Sequence, residues 1–132
     1  RAQRLLKFND VLFQLVRPYQ KNNLHFKENK ICVASTGYAQ LRVQKKYYSS
    51  FLFQLIQIDK FTDSVMNLCT GTSYPAINSS ALSSIKCSIP CVEEQQKIAD
   101  FLSSIDDKIT IENNKLDKLK QWKQGLLQQM FV

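Results

Sequence analysis

The last third of the chain carries the feature that most constrains the fold. Residues recur there at alternating steps of four and three, and eight of the ten positions reached in this way are apolar. The ten positions are Ile98, Leu102, Ile105, Ile109, Glu112, Leu116, Leu119, Lys123, Leu126 and Met130. Neither Gly nor Pro interrupts the pattern before Gly125. The pattern predicts one helix of about 40 residues with a narrow apolar seam along one side, as in coiled coils.

The length of this predicted helix indicates that it needs a partner. It would extend on the order of 60 Å, whereas a globular domain of about 90 residues spans some 30 Å by its radius of gyration. We therefore interpret residues 92–132 as a coiled-coil spacer and subunit contact. The predicted helix-partner interface consists of the apolar seam positions: Ile98, Leu102, Ile105, Ile109, Leu116, Leu119, Leu126 and Met130. The alternative is a core helix that folds back on its own domain.

The excess positive charge of the chain lies before this helix. Residues 1–91 hold 12 Lys and Arg against 4 Asp and Glu, a net charge of +8, while residues 92–132 hold 6 against 7, a net charge of −1. A basic domain joined to a neutral helix is typical of a nucleic-acid binder with a separate protein contact. The alternative is a basic surface that only improves solubility.

Short elements of both kinds alternate in residues 1–91, which predicts an α+β fold: a small mixed α/β domain followed by the long helix. We predict a strand over 11–16 that Pro18 ends, and then a long loop over 17–30. The other predicted elements are strands at 31–34 and 38–44 joined as a hairpin through Ser35-Thr36-Gly37, a helix from Phe51 capped by Ser49-Ser50, a helix over 59–68, a loop over 71–77, a helical turn from Asn78 to about Ser83, and a strand through Ile85, Cys87 and Ile89.

Basic and aromatic residues alternate in two stretches that we expect to form neighbouring loop sites for DNA. Lys provides a point charge for phosphate, whereas Arg can pair with guanine through two hydrogen bonds. The candidates are Arg17, Tyr19, Lys21, His25 and Lys27 in the first stretch, and Arg42, Lys45, Lys46, Tyr47 and Tyr48 in the second. The loop at 71–78 adds Ser73, Tyr74 and Asn78, although Asn78 is equally suited to cap the following turn.

Signs of catalysis, metal binding or membrane insertion are weak. The sequence has one histidine, His25, and no glycine-rich phosphate loop. The cysteines, Cys32, Cys69, Cys87 and Cys91, form no zinc set, and we expect reduced thiols, with Cys32 and Cys87 as buried hydrophobes. Asp10 with Glu28 and Lys30 is the nearest approach to a Mg²⁺-dependent nuclease. No apolar run reaches the roughly 18 residues of a membrane span, so we expect a cytoplasmic protein, and a first residue other than Met suggests a piece of a longer one.

An ordered series of motifs provides a family resemblance. Gly71-Thr72-Ser73-Tyr74-Pro75-Ala76-Ile77-Asn78 is followed by Leu82, Ile85, Ile89-Pro90, Glu94-Gln95, Ile98-Ala99 and Asp106-Asp107. This order resembles the C-terminal end of a specificity (S) subunit of a type I restriction-modification enzyme. The ends of such subunits are similar to the stretch from Lys118-Leu119-Lys120 to Gly125-Leu126-Leu127-Gln128-Gln129-Met130-Phe131, and Asp10-Val11-Leu12-Phe13 with Ser35-Thr36-Gly37-Tyr38 fits the preceding target-recognition region. Ser88 and Cys91 stand where the family often has proline.

The resemblance implies a non-catalytic role in sequence-specific binding of double-stranded DNA. Residues 1–91 would be the C-terminal part of a target-recognition domain for one half of a split target. Residues 92–132 would pack against the second long helix of the same subunit, or against a second copy, and would dock the methyltransferase subunits. No cofactor is expected on this chain: the methyltransferase (M) subunits would use S-adenosylmethionine, and the restriction (R) subunit ATP and Mg²⁺. The alternatives are a stand-alone dimeric DNA-binding regulator and a pure coiled-coil assembly protein.

Overall fold

The computed structural model describes residues 4–131, which form two compact units. One unit extends to Ala99, and the other begins at Asp100. The elements are β1 (Arg4–Leu5), β2 (Val11–Gln14), β3 (Leu24–His25), β4 (Val33–Ala34), β5 (Tyr38–Leu41), α1 (Ser49–Leu55), α2 (Asp59–Met66), α3 (Ser79–Ser83) and α4 (Val92–Met130), with one 3₁₀ turn over Pro18–Gln20. This order confirms the α+β prediction with a long final helix.

Strand β2 is the centre of the first unit. It lies between β3 and β5 in a three-stranded antiparallel sheet, where Val11 pairs with His25 on one side and with Leu41 on the other. Strands β1 and β4 form a separate two-stranded sheet. The predicted hairpin between the strands at 31–34 and 38–44 is therefore wrong. β5 pairs with β2 instead, because that pairing buries Ala39 beside Val11 and Phe13.

The core of the first unit forms where helices α1 and α2 cover the buried side chains of β2. Phe13 meets Phe61 of α2 edge to face, with 5.9 Å between the ring centroids. The buried cluster comprises Val11, Phe13, Ala39, Ile56, Phe61, Val65, Ile77 and Leu82. The predicted helices near 51 and over 59–68 are confirmed by α1 and α2. The predicted serine cap of α1 is wrong, because Tyr48 occupies the cap position and no side chain caps the helix.

The segment that joins α3 to α4 differs from the prediction. Asn78 caps α3 as expected, since its side-chain oxygen accepts a hydrogen bond from the backbone N–H of Ala81 at 2.7 Å. The sequence predicts a strand over 85–89, but these residues belong to no strand, and Cys87 is exposed rather than buried. The alternation there has another cause: Ile85 packs against the core while its neighbours face solvent. All four cysteines are free thiols.

Helix α4 contains 39 residues, which confirms the predicted length. Its first two turns belong to the first unit: Gln95 and Ala99 are only 2 % and 1 % exposed, and the Gln95 amide donates to the carbonyl of Pro90 at 2.9 Å. In the second unit, the apolar seam residues from Ile105 to Met130 are exposed in the single chain. The helices formed by residues 4–131 are all too short or too polar to cross a bilayer.

Candidate nucleic-acid interface

The predicted DNA-contact residues divide between the two ends of β2. Lys27 and Arg42 lie near its start, because Phe26 exchanges backbone hydrogen bonds with Asn9 and Asp10, and Leu41 pairs with Val11. Arg17 follows its end. Asp10 and Val16 are about 20 Å apart at the rise of an extended chain. The first stretch is therefore divided, with Arg17 far from the second stretch and Lys27 at the same end of β2 as Arg42. The reason is that residues 17–30 are not one loop: after the 3₁₀ turn the chain returns along β2 as β3.

We call these two groups of residues the Arg17 end and the Arg42 end. The Arg17 end comprises Arg17, Tyr19, Ser73 and Tyr74. The Arg42 end comprises Lys27, Arg42, Lys45, Lys46 and Tyr47. Each group combines cationic and aromatic side chains, as the sequence predicted for a DNA-binding surface.

At the Arg17 end, residues from two distant parts of the sequence make contact. The guanidinium carbon of Arg17 lies 4.3 Å from the centroid of the Tyr74 ring, within the range of a cation–π interaction. The backbone supports this contact, because the N–H of Arg17 donates to the carbonyl of Pro75 at 2.7 Å and Val16 pairs with Ala76. Tyr74 remains 66 % exposed. The sequence predicted both residues as contacts but gave no sign of their pairing.

The loop that holds Tyr74 is fixed by its backbone. Thr70 and Ala76 exchange two backbone hydrogen bonds of 2.9 Å, and Pro75 between them is buried. Gly71 has φ of 89°, and a Cβ at this position would lie 2.9 Å from the carbonyl oxygen of Tyr74. Only glycine adopts this conformation at low cost. The backbone of this loop therefore sets the position from which the Tyr74 side chain extends.

Arg17 itself is in an unfavourable state. Its φ of 53° lies in the left-handed region, which residues other than glycine rarely adopt. This backbone conformation costs of order 1–3 kcal/mol. Its Nε is buried without a hydrogen-bond partner. Strain and unpaired buried donors are concentrated at functional sites in proteins, so these two features single out Arg17 among the predicted contacts.

Two of the predicted contacts make structural interactions instead of remaining open. The ammonium of Lys21 lies 2.5 Å from the Asp59 carboxylate and 2.8 Å from the carbonyl of Gln57. The hydrogen bond and charge of Lys21 lower the pKa of Asp59. Lys21 thus ties the segment after the 3₁₀ turn to α2. The side-chain oxygen of Asn78 is occupied by its helix cap.

At the Arg42 end, a buried carboxylate fixes the arginine. Asp10 is 0 % exposed and accepts hydrogen bonds from Nε and one Nη of Arg42, at 2.7 and 2.8 Å, from the Gln40 amide at 2.6 Å, and from the backbone N–H of Lys7 at 2.7 Å. Burial alone would raise the pKa of Asp10, but these donors outweigh it and hold that pKa below its ordinary value. Asp10 is thus an ionised structural residue.

The two carboxylates of the nuclease alternative both have partners within the fold. Both oxygens of Asp10 are occupied by donors within the fold, and the other proposed carboxylate, Glu28, pairs with Lys30. Within residues 4–131, no group of three or more His, Cys, Asp or Glu side chains is placed to hold a metal ion.

Arg42 also lines a cavity of about 340 Å³ with Lys45 and Tyr47. Phe8 and Asn9 complete one wall of this cavity, and sequence reasoning missed both. Asn9 has φ of 70°, and an asparagine in a turn at the start of a strand is the available signal for it. The ammonium of Lys46 lies 5.5 Å from the centroid of the Tyr47 ring. The cavity wall is thus both cationic and aromatic.

His25 is neutral at physiological pH and adds no charge to this end. Its ring stacks on Phe53, with 5.7 Å between centroids, and Nε2 lies 3.1 Å from the Ser49 hydroxyl. Burial and the nearby charge of Lys27 lower its pKa to about 4. His25 therefore joins β3 to α1 rather than contacting an anion.

Comparison with known families accounts for this combination of a small α+β unit and a long helix. A family model described as the type I restriction modification DNA specificity domain matches residues 14–121. The chain belongs to this family. The match includes the Arg17 end, the Arg42 end and most of helix α4, and it confirms the resemblance carried by the motifs from Gly71 to Asp107.

Several specificity subunits are similar to this member of the type I specificity family. The type I restriction enzyme HindI specificity subunit of Haemophilus influenzae is 29 % identical over 136 residues, which covers 99 % of this chain and 29 % of that protein. The MjaVIII specificity subunit of Methanocaldococcus jannaschii is 31 % identical over 83 residues, which covers 63 % of this chain and 20 % of that protein. This chain therefore spans less than a third of the length of these relatives.

A solved structure of the type I specificity family has the same fold. The HsdS subunit from Thermoanaerobacter tengcongensis superposes with a TM-score of 0.67 at 29 % identity. The superposition covers 83 % of this chain and 29 % of that subunit.

Proposed function

We propose that this chain provides part of the DNA-recognition surface of a type I restriction-modification specificity subunit. In this proposal, residues 1–91 bind one half of a split target in double-stranded DNA, and the chain itself catalyses no reaction. The observation that carries the proposal is the family match over residues 14–121. The net charge of +8 on residues 1–91 supports it independently. A stand-alone dimeric regulator is not favoured, because the named relatives are specificity subunits.

The Arg42 end and the Arg17 end would contact separate stretches of one duplex. Lys27, Lys45 and Lys46 are exposed, and each is suited to neutralise a phosphate. The Arg17 end lies about 20 Å away along β2, a distance that exceeds the width of a single groove of about 12 Å. The two ends would therefore contact different parts of the duplex. Tyr19, Tyr47, Ser73 and Asn78 remain proposed contacts at the edges of these two ends.

Helix α4 would set the spacing between recognition domains. Its apolar seam would pack against the second long helix of the subunit or against a second copy of this chain. The seam consists of Ile98, Leu102, Ile105, Ile109, Leu116, Leu119, Leu126 and Met130, and its residues from Ile105 onward are exposed in the single chain. In an antiparallel pair centred near Asp117, Glu112 of each helix faces Lys123 of the other. A parallel pair would place Glu112 beside Glu112, which like-charge repulsion disfavours.

The catalytic steps would belong to partner subunits in the cytoplasm. The methyltransferase (M) subunits would dock on the long helices and use S-adenosylmethionine, and the restriction (R) subunit would use ATP and Mg²⁺. This chain would bind none of these cofactors. Its contribution would be the choice of DNA sequence.

The DNA-binding proposal is tested by the salt dependence of affinity. Replacing Lys45 and Lys46 by Ala should weaken binding to all duplexes alike and reduce the slope of log Kd against log salt by roughly 1 for each phosphate that is no longer neutralised. The matched control is Lys118→Ala with Lys120→Ala, which removes the same charge from the second unit. Equal effects of both double variants, or no effect of the first, would contradict the proposal.

The helix proposal is tested by sedimentation of the purified chain. We expect a dimer at tens of micromolar that Leu116→Asp dissociates, because an aspartate would be buried in the seam. Asn114→Asp adds the same charge on the opposite side of the helix and should leave the dimer intact. A wild-type monomer at these concentrations would refute pairing with a second copy.

A further inference from the structure

We infer that Arg17 reads a guanine in the DNA target and that Tyr74 is the positioning residue that holds its guanidinium plane. The inference rests on the proposed function, because it names the base that the Arg17 end recognises. It is carried by the contact between the two side chains, by the conformation of Arg17 and by the way the fold uses its other arginines.

The other described arginines are occupied by the protein. Arg4 donates to the carbonyl of Tyr38 at 2.6 Å, and Arg42 makes two hydrogen bonds to the buried carboxylate of Asp10. Within residues 4–131, no hydrogen bond or ion pair reaches the Arg17 guanidinium, which contacts the Tyr74 ring. Arg17 is therefore the described arginine whose guanidinium makes no hydrogen bond within the fold.

The geometry of this contact suits a planar pair of acceptors. The backbone of the loop that carries Tyr74 is held by the hydrogen bonds between Thr70 and Ala76, and the Tyr74 ring packs against the guanidinium, whose carbon lies 4.3 Å from the ring centroid. The Nε of Arg17 is covered, so its two Nη nitrogens are the donors that can reach a ligand. Guanine presents N7 and O6 side by side in the major groove and accepts two hydrogen bonds from one arginine.

Phosphate is the other group in DNA that accepts two hydrogen bonds from one arginine, and it fits this position less well. A phosphate contact needs charge but no fixed plane, and the exposed lysines of the Arg42 end provide such charge. At Arg17, which flanks the 3₁₀ turn with a left-handed φ, the Nε is buried and the guanidinium lies against the Tyr74 ring. These contacts restrict the orientation of the guanidinium. Fixed orientation is what base reading requires.

The test is a binding selection from random duplexes with the full chain, followed by competition binding. The wild type should select a motif that contains a guanine. Arg17→Lys keeps the charge and the backbone strain but lacks the planar fork, so it should lose the preference at one guanine by roughly 10- to 100-fold. The slope of affinity against salt should stay the same. Tyr74→Ala should lose part of the same preference, whereas Tyr74→Phe, which retains the ring, should keep it.

A change in the DNA makes the test independent of how the variants fold. Replacing the selected guanines one at a time by 7-deazaguanine removes N7, and one replacement should weaken the wild type but leave the binding of Arg17→Lys unchanged. If the wild type selects a motif and no guanine responds to 7-deazaguanine, or Arg17→Lys keeps the full motif with a reduced salt slope, Arg17 contacts phosphate and the inference is wrong. If the wild type selects no motif, the proposed function itself fails.

Discussion

Replacing the buried Asp10 by Asn should destabilise the first unit more than any other single change to a charged side chain that we consider. Asn has almost the same shape, so the substitution leaves the packing intact and removes only the charge. One of its polar atoms becomes a donor and faces the donors of Arg42, Gln40 and the Lys7 backbone. The variant therefore measures the ionic network by itself.

The magnitude follows from the exposure of the two partners. Removing one member of a buried ion pair costs about 3–5 kcal/mol, because the remaining charge is left unpaired and buried. Here the Arg42 side chain is 47 % exposed and can regain water, whereas Asp10 is fully buried. We therefore expect a loss near the lower limit, about 3 kcal/mol, which corresponds to a fall in Tm of roughly 12–24 °C for a unit of this size.

Calorimetry at neutral and acid pH checks this prediction. The pKa of Asp10 in the fold lies below its ordinary value of 3.8, so its contribution is complete at pH 7 and is lost as the pH falls through the folded-state pKa. The gap in Tm between the wild type and Asp10→Asn should therefore narrow at acid pH. Asp63→Asn, an exposed carboxylate on α2, is the control and should change stability by less than about 0.5 kcal/mol. A loss below about 1 kcal/mol at pH 7 would refute this reasoning.

The remaining predictions concern three other positions. The pKa of His25 is lowered from 6.5 in the unfolded chain to about 4 in the fold, so the unfolded chain takes up a proton first as the pH falls. The free energy of unfolding measured in urea should therefore fall by up to about 3 kcal/mol between pH 6.5 and 4. The His25→Phe variant should lack this fall. Gly71→Ala would place a Cβ 2.9 Å from the Tyr74 carbonyl oxygen. The fall in its Tm should correspond to a loss of about 1–3 kcal/mol in the free energy of unfolding. Asn78→Ala removes the cap of α3 and should cost about 0.5–2 kcal/mol; an unchanged target preference of the folded fraction would show that Asn78 does not contact DNA.

The elements that the sequence predicted correctly are those whose signal is local. The apolar seam from Ile98 to Met130 predicted helix α4 from its own spacing. The Asn78 cap was also predictable, because its partner is the backbone N–H of Ala81, three residues later. The partner of a strand is not a local property. The strand at 38–41 follows the strand at 33–34 directly, yet it pairs with β2 because Ala39 is buried there.

The candidate site followed the same division. Residue types along the chain identified Arg17, Arg42 and Tyr74 as polar or aromatic loop residues, but their roles depend on contacts between distant segments. Tyr74 approaches Arg17 because Ala76 pairs with both Val16 and Thr70. Asp10 accepts hydrogen bonds from Arg42, which lies 32 positions later in the chain. No pattern within a single stretch encodes either contact, so the sequence could not separate the arginine held by a carboxylate from the one held by a ring.

The central position of β2 also decides when this protein can fold as it is made. Val11 and Phe13 leave the ribosome before the side chains that cover them, which include Phe61, Ile77 and Leu82. At a synthesis rate of about 5–20 residues per second, the 66 residues from Val11 to Ile77 take roughly 3–13 s to appear. The pairing strands β3 and β5 appear early in that interval, but the side chains of Val11 and Phe13 lack part of their apolar covering until its end, a state that favours aggregation. We therefore expect the nascent chain to be most prone to aggregation before Leu82 has emerged.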